Sequence, residues 1–129
     1  MVNYINDIAG VRIVCSFKND IYQLVNIIKK FSDVEIIKEK DYIKNPKPSG
    51  YQSYHMILNV PITLIDTNVY VKVEIQIRSL AMDFWASIEH KLKYKKNINS
   101  KTSKELIECA QVISNLDDRM QLMKENSLN

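Results

Sequence analysis

Seven side chains of this chain would share one face of a β-sheet if their segments pair: the carboxylates Asp7 and Glu74, the guanidiniums Arg12 and Arg78, and Tyr51, His55 and Gln76. Acids, fixed cations and recognition groups in one patch suit a phosphorylated ligand, because a guanidinium matches phosphate oxygens through parallel N–H donors. The segments that carry them show why one face is expected. Tyr70 to Arg78, YVKVEIQIR, alternates without an error: Val71, Val73, Ile75 and Ile77 fall on one side, and Tyr70, Lys72, Glu74, Gln76 and Arg78 on the other. Period-two alternation predicts a half-buried strand. Taken alone, a polar outer face is no more than the norm for an antiparallel sheet. A second segment breaks the tie. In SGYQSYHMILNV, Tyr51, Ser53 and His55 share one side, while Tyr54, Met56, Leu58 and Val60 share the other. A third, VRIVCSF, sends Val11, Ile13, Cys15 and Phe17 inward and Arg12 and Ser16 outward, with Val14 as the exception.

The rest of the chain must position those strands. At 129 residues it predicts a single domain over 1–129 that buries a core without staples. Hydrophobic residues at 46% and charged residues at 26% are ordinary for a globular protein. The net charge of +3 is spread along the chain, so no nucleic acid is required as partner. Cys15 and Cys109 form neither a metal cluster nor a disulfide framework, and both read as reduced core residues. The apolar runs are too short to span a membrane, and MVNYINDIAG has no basic region leading into an apolar block, so a cytoplasmic protein is expected.

After the first strand, Asn19 or Asp20 is expected to cap a helix in which Ile21, Leu24, Val25, Ile28 and Phe31 recur at helical spacing. DVEIIKEKDYI reads as a strand and KNPKPSG, with two prolines and a glycine, as a loop. The next strand should run from Tyr51 to Val60 with Pro61 as a stop, and pair with Val69 to Arg78 as an antiparallel hairpin. From Ser79 as cap, Leu80, Phe84, Ile88 and Leu92 mark a helix to about Lys95. Leu106, Cys109, Ile113, Leu116, Met120 and Met123 mark a last helix over about 103–125, whose stripe is expected to pack. Trp85 reads as a core or interhelix anchor. Lys91, Lys93, Lys95 and Lys96 cluster at a helix C-terminus, where positive charge suits the macrodipole.

Three blocks in order, DIAGVRIVC, KDYIKNPKPSGYQSYH and VEIQIRSLAMDFWASIEHKLKYK, resemble the RelA/SpoT synthetase domain, above all the small single-domain alarmone synthetases. The resemblance covers about 6–96. It implies an α+β, nucleotidyltransferase-like fold: a mixed, mostly antiparallel sheet with packed helices and a C-terminal helix. It also implies a reaction, transfer of the β,γ-pyrophosphate of ATP to the 3′-hydroxyl of GTP or GDP, giving pppGpp or ppGpp. By the same resemblance Asp7 and Glu74 match the family's two magnesium-site acids, and Glu74 is the expected general base. Arg12 matches an arginine that packs on the adenine of ATP, and Lys40 a basic residue near the donor phosphates. Tyr51 matches the tyrosine that stacks on the acceptor guanine, and His55, Lys47, Gln76 and Asp83 fall at positions used around the GTP or GDP acceptor. Lys40 and Lys47 are expected in a loop that gives them reach.

Three departures accompany the resemblance. The chain begins six residues before Asp7, so the family's upstream helices and their ATP-gripping GRxKxxxS motif are expected to be lacking. Gln52 stands where relatives often carry arginine, and Asp83 where they often carry asparagine, which would set a negative charge near phosphates. The expected activity is therefore that of a (p)ppGpp synthetase using Mg2+, and its alternative is a catalytically inactive guanine-nucleotide-binding or oligomerisation module. A nucleotidyltransferase acting on RNA is disfavoured by the mild charge. A homo-oligomer, with a tetramer as the form the resemblance implies, is the expected assembly, and no hydrolase is expected because His55 and His90 are the only histidines.

Overall fold

In a computed structural model the backbone is described for residues 2–95 and 98–127, and the side chains for 9–94 and 98–127. The side chain of Asp7 and the Lys95 and Lys96 end of the basic cluster lie outside the described residues. The elements follow in the order β1 (Val2–Cys15), α1 (Lys18–Lys29), β2 (Glu35–Asp41), β3 (Tyr54–Thr63), β4 (Asn68–Ser79), α2 (Leu80–Lys95) and α3 (Ser100–Ser127). The four strands form one sheet in the order β1-β4-β3-β2. β1 runs parallel to β4, and the other two pairings are antiparallel, so the sheet is mixed and mostly antiparallel as expected.

The alternation fixes which face is buried. Tyr54, Met56, Leu58 and Ile77 turn to one side of the sheet and meet Ile21, Val25 and Ile28 of α1, all nearly or fully buried. Ile13, Cys15, Val60 and Ile75 pack around that cluster. Val11 is 45% exposed although its register partner is Ile75, because it lies on the edge strand beyond the helices' cover. A second cluster, Trp85, Ala86, Leu106 and Ala110, joins α2 to α3 and is packed by Tyr51, Ile98 and Ile113. Trp85 is the anchor there: its indole N–H donates to the Leu106 carbonyl at 2.9 Å.

Several expected boundaries shift for physical reasons. The N-cap of α1 is Phe17, not Asn19 or Asp20; Asp20 instead sits in the first turn and its carboxylate accepts from the Phe17 N–H at 3.2 Å. β3 passes through Pro61 to Thr63, and it can do so because β2 pairs with β3 only as far as Asn59, leaving Pro61 with β4 as its one neighbour. Residues Tyr51 to Ser53 precede β3. On α2 the buried side chains are Met82, Trp85 and Ala86, while the expected stripe of Phe84, Ile88 and Leu92 stays 39–63% exposed along a groove against α3. Cys109 is exposed and Cys15 half-buried, both as free thiols, so only Cys15 belongs to the core edge; burial and the nearby Asp20 push its thiol pKa up. Among the described residues no helix is long and apolar enough to cross a membrane.

Candidate functional site

Pairing register turns the sequence pattern into a surface. Arg12 of β1 lies opposite Gln76 of β4, Gln76 opposite His55 of β3, and His55 opposite Lys40 of β2. Directly paired residues share a face, so these four side chains form one row across all four strands, on the side away from α1. The adjacent row is Gly10, Glu74, Ile57 and Lys38. Lys40 is therefore a strand residue and not a loop residue, because the β2 ladder continues to Asp41.

Glu74 sits between two cavities. On the β1 side Gly10, Val11, Arg12 and Gln76 line a space of about 300 Å³ with it. On the β2 side Lys38, Lys40, Tyr42, His55 and Ile57 line another of about 240 Å³, also with Glu74 in the wall. His55 Nε2 lies 2.5 Å from Glu74 Oε1. That contact lacks hydrogen-bond alignment, so Nε2 has no hydrogen-bond partner. Both side chains are partly exposed, at 26% and 31%, although His55 Nε2 itself is buried against the carboxylate.

A third space, about 490 Å³, lies where the sheet meets α2 and is lined by Arg12, Tyr51, Arg78, Ser87, His90 and Lys91 among others. Tyr51 is held here from several directions. Arg78 Nη2 donates to its hydroxyl at 2.8 Å, and the hydroxyl donates to Gln76 Oε1 at 3.4 Å. Lys47 Nζ stands 5.3 Å from the centre of its ring and 4.9 Å from that of Tyr42. The loop carrying Lys47 is tied down rather than loose: Asp41 Oδ1 accepts from the Ile43 and Lys44 N–H groups at 2.9 Å, and the Lys47 N–H donates to the Tyr51 carbonyl at 3.0 Å. Gly50 makes the turn into Tyr51 with φ +96°, and an added Cβ would come within 2.9 Å of the Ala110 Cβ.

Asp83 does not leave a bare negative charge. Its Oδ1 accepts from Arg78 Nη1 at 3.1 Å, so the carboxylate is paired within the protein. Arg78 itself is 6% exposed. The register of β1 slips between Ile5 and Ile8, which sets Asp7 in the backbone irregularity three residues before Gly10, the partner of Glu74. Glu74 is a carboxylate open to cavities on both sides, and among the described residues no three His, Cys, Asp or Glu side chains cluster as a ready metal cage. That donor set fits a magnesium ion held by one or two carboxylates and completed by phosphate oxygens, the usual way this ion is bound.

The structure thus brings Arg12, Lys40, His55, Glu74 and Gln76 together on one face, with Tyr51, Lys47 and Asp83 grouped at its upper end. Sequence reasoning placed Arg78 on this face without a role, and missed Tyr42, Lys38 and Asp117. Lys38 was legible, since it keeps the parity of Lys40. Asp117 was not: it is 1% exposed on α3, where the apolar spacing called for a hydrophobic residue, and it accepts from Ser79 Oγ at 2.6 Å. Burial raises its carboxyl pKa above the ordinary range, partly offset by that hydrogen bond and by Lys18.

Residues 1–99 match the family model described as "Region found in RelA / SpoT proteins". GTP pyrophosphokinase YwaC of Bacillus subtilis (strain 168) is 52% identical over 122 residues, which cover 93% of this chain and 58% of YwaC. The crystal structure of the small alarmone synthetase 2 from Bacillus subtilis superposes with a TM-score of 0.86 at 49% identity, covering 91% of this chain and 65% of that one. Small alarmone synthetase 1 from the same organism, solved bound to its product pppGpp, gives 0.82 at 36% identity over 92% of this chain and 61% of its own. The chain therefore spans less than two thirds of these relatives, and with residues 1–99 matching the family model and half of its residues identical over the shared span, it belongs to the RelA/SpoT family.

Proposed function

We propose that this chain carries the synthetase chemistry of its family: pyrophosphate transfer from ATP to the 3′-hydroxyl of GTP or GDP, yielding pppGpp or ppGpp, in the cytoplasm. The observation that carries the reading is the position of Glu74, one carboxylate shared by a cavity with Arg12 and a cavity with Lys38, Lys40 and His55. Two cationic cavities meeting at one acid suit a reaction that joins two nucleotides. Phosphoryl transfer is chiefly positioning and charge stabilisation, and the cations supply both.

The acceptor 3′-oxygen bonds to the β-phosphorus of ATP, the bond from that phosphorus to the α-bridging oxygen breaks, and AMP leaves. Glu74 takes the 3′-hydroxyl proton, with the His55 imidazole beside it at 2.5 Å. Arg12 packs on the adenine and Lys40 meets the donor phosphates; Tyr51 stacks on the guanine, with Lys47, His55, Gln76 and Asp83 around the acceptor. Asp7 and Glu74 would hold Mg2+, which when bound neutralises charge building on the phosphates. The exposed Phe84, Ile88, Leu92 and Val112 support self-association into a homo-oligomer, to be read by light scattering.

The test is incubation of the purified chain with Mg2+, labelled ATP and GTP or GDP, resolved by chromatography beside Glu74→Gln. Labelled pppGpp or ppGpp that disappears in the variant is expected, together with retained guanine-nucleotide binding in both proteins. Binding without product in the native chain would leave a nucleotide-binding module and overturn the synthetase reading.

A further inference from the structure

We infer that Glu89 of α2 is a specificity-determining residue of the acceptor site, its carboxylate reading the N1–H and N2–H2 donors of the guanine. This rests on the reading that a guanine stacks on Tyr51. Tyr51 and Glu89 line the same cavity of about 490 Å³, together with Arg12 and Arg78 from the sheet and Ser87, His90 and Lys91 from α2. Glu89 is the one acid among the described residues of that wall. Beside the phosphates of a nucleotide a carboxylate repels; beside a base that presents N–H groups it accepts. An acid in an otherwise cationic cavity therefore marks where the base goes.

Pairing within the protein leaves that carboxylate unsatisfied. Its side chain is 14% exposed, and its partner among the described residues is Lys93, whose Nζ donates to Oε2 at 3.1 Å from one turn along the helix. Neither arginine of the cavity pairs with it: Arg78 bonds to Asp83, Tyr51 and Gln76, and Arg12 forms no ion pair among the described residues. An ionised carboxylate offers about four lone-pair sites, and Lys93 fills one of them. Guanine carries two donors side by side on one edge, N1–H and N2–H2, which match the two oxygens of a carboxylate as a parallel pair. Adenine has a bare N1 acceptor on that edge, and sets lone pair against lone pair. The O6 and N7 acceptors of guanine suit the other groups of the wall: Ser87, His90, Lys91 and Arg78, whose Nε has no partner within the protein. ATP must also reach this face as donor, and Glu89 keeps its base out of the acceptor position.

Calorimetric titration of the purified chain with GDP, inosine diphosphate and ADP, in Mg2+, tests this. Inosine diphosphate keeps N1–H and lacks only the N2 amino group. The native chain is expected to bind GDP tightest, inosine diphosphate about tenfold more weakly and ADP more weakly still, since a hydrogen bond to a charged group is worth about a factor of ten. Glu89→Gln keeps the shape of the side chain but sets an NH2 group against the guanine amino group, so the preference for GDP over inosine diphosphate should vanish. Lys93→Met breaks the helix pair and leaves the carboxylate, so the order of the three nucleotides should stand. Equal affinity of the native chain for GDP and inosine diphosphate overturns the inference without any variant and leaves the functional reading standing. So does a Glu89→Gln chain that keeps the preference for GDP, or one that weakens all three nucleotides in the same proportion as Lys93→Met, the mark of a helix pair alone. If the native chain binds none of the three, the functional reading fails and the inference with it.

Discussion

The Tyr51 end of the polar face and its Arg12 end are built differently. Tyr51 is bonded through its hydroxyl to Arg78 and Gln76, approached by Lys47, and backed by the Trp85 and Ala110 cluster of α2 and α3. Arg12 stands exposed on the edge strand β1 and makes no hydrogen bond or ion pair among the described residues. One end is held by the protein before any ligand arrives, whereas a side chain without partners would lose rotamer entropy on binding one. On the proposed reading, selectivity belongs to the Tyr51 end, where the geometry is fixed by the protein itself.

The largest expected effect strikes the brace. Gly50→Ala forces an L side chain to φ +96° and into Ala110, so a loss of about 2 kcal/mol or more is expected, read as a lower denaturation midpoint together with weakened GDP binding. A variant as stable as the native chain would mean the turn relaxes freely and the acceptor end is not rigid. Next, Tyr51→Ala should cost roughly 1 to 3 kcal/mol of GDP affinity by titration, with a lowered melting temperature because the side chain also packs on the Trp85 cluster and accepts from Arg78. Arg12→Ala should leave stability within about 0.5 kcal/mol and GDP binding intact while raising the KM for ATP; loss of GDP binding instead would erase the distinction between the two ends.

The smallest effect is on pH dependence. Asp117 braces the start of α2 through Ser79, whose Oγ also accepts from the Met82 N–H at 3.2 Å. Its pKa is raised in the folded chain, chiefly by burial, so the folded state holds the proton more tightly than the unfolded one. Stability therefore falls as pH rises from the ordinary carboxylate range, about 3.9, through the folded value. Asp117→Asn keeps an acceptor for Ser79 and should flatten that slope in melting curves taken across acidic pH. A slope unchanged in the variant would assign it to other groups.

Much of the site was legible because alternation carries parity. Once YVKVEIQIR was read as a strand, Glu74, Gln76 and Arg78 had to share a face, and SGYQSYH added Tyr51 and His55 to its own polar side. Parity says nothing of neighbours, so the pairing of Asp83 with Arg78 and the tie between His55 and Glu74 were not legible. The α2 stripe misled for a similar reason. Helical spacing marks an apolar face, but whether Phe84 or Trp85 is the residue buried depends on where α3 crosses.

Asp117 shows the limit most plainly. A carboxylate among apolar residues at helical spacing gives no sign that it is inside, and only the approach of Ser79 from β4 provides a partner for it there. The sequence by itself determined the strands, their buried faces, the chemistry of the polar face and the family, because these follow from residue type and period along one segment. Only the tertiary structure decided the strand order, the row from Arg12 to Lys40, the two cavities that meet at Glu74 and the hold of Arg78 on Tyr51 and Asp83. Those are distances between segments far apart in the chain, and they are set by packing rather than by local preference.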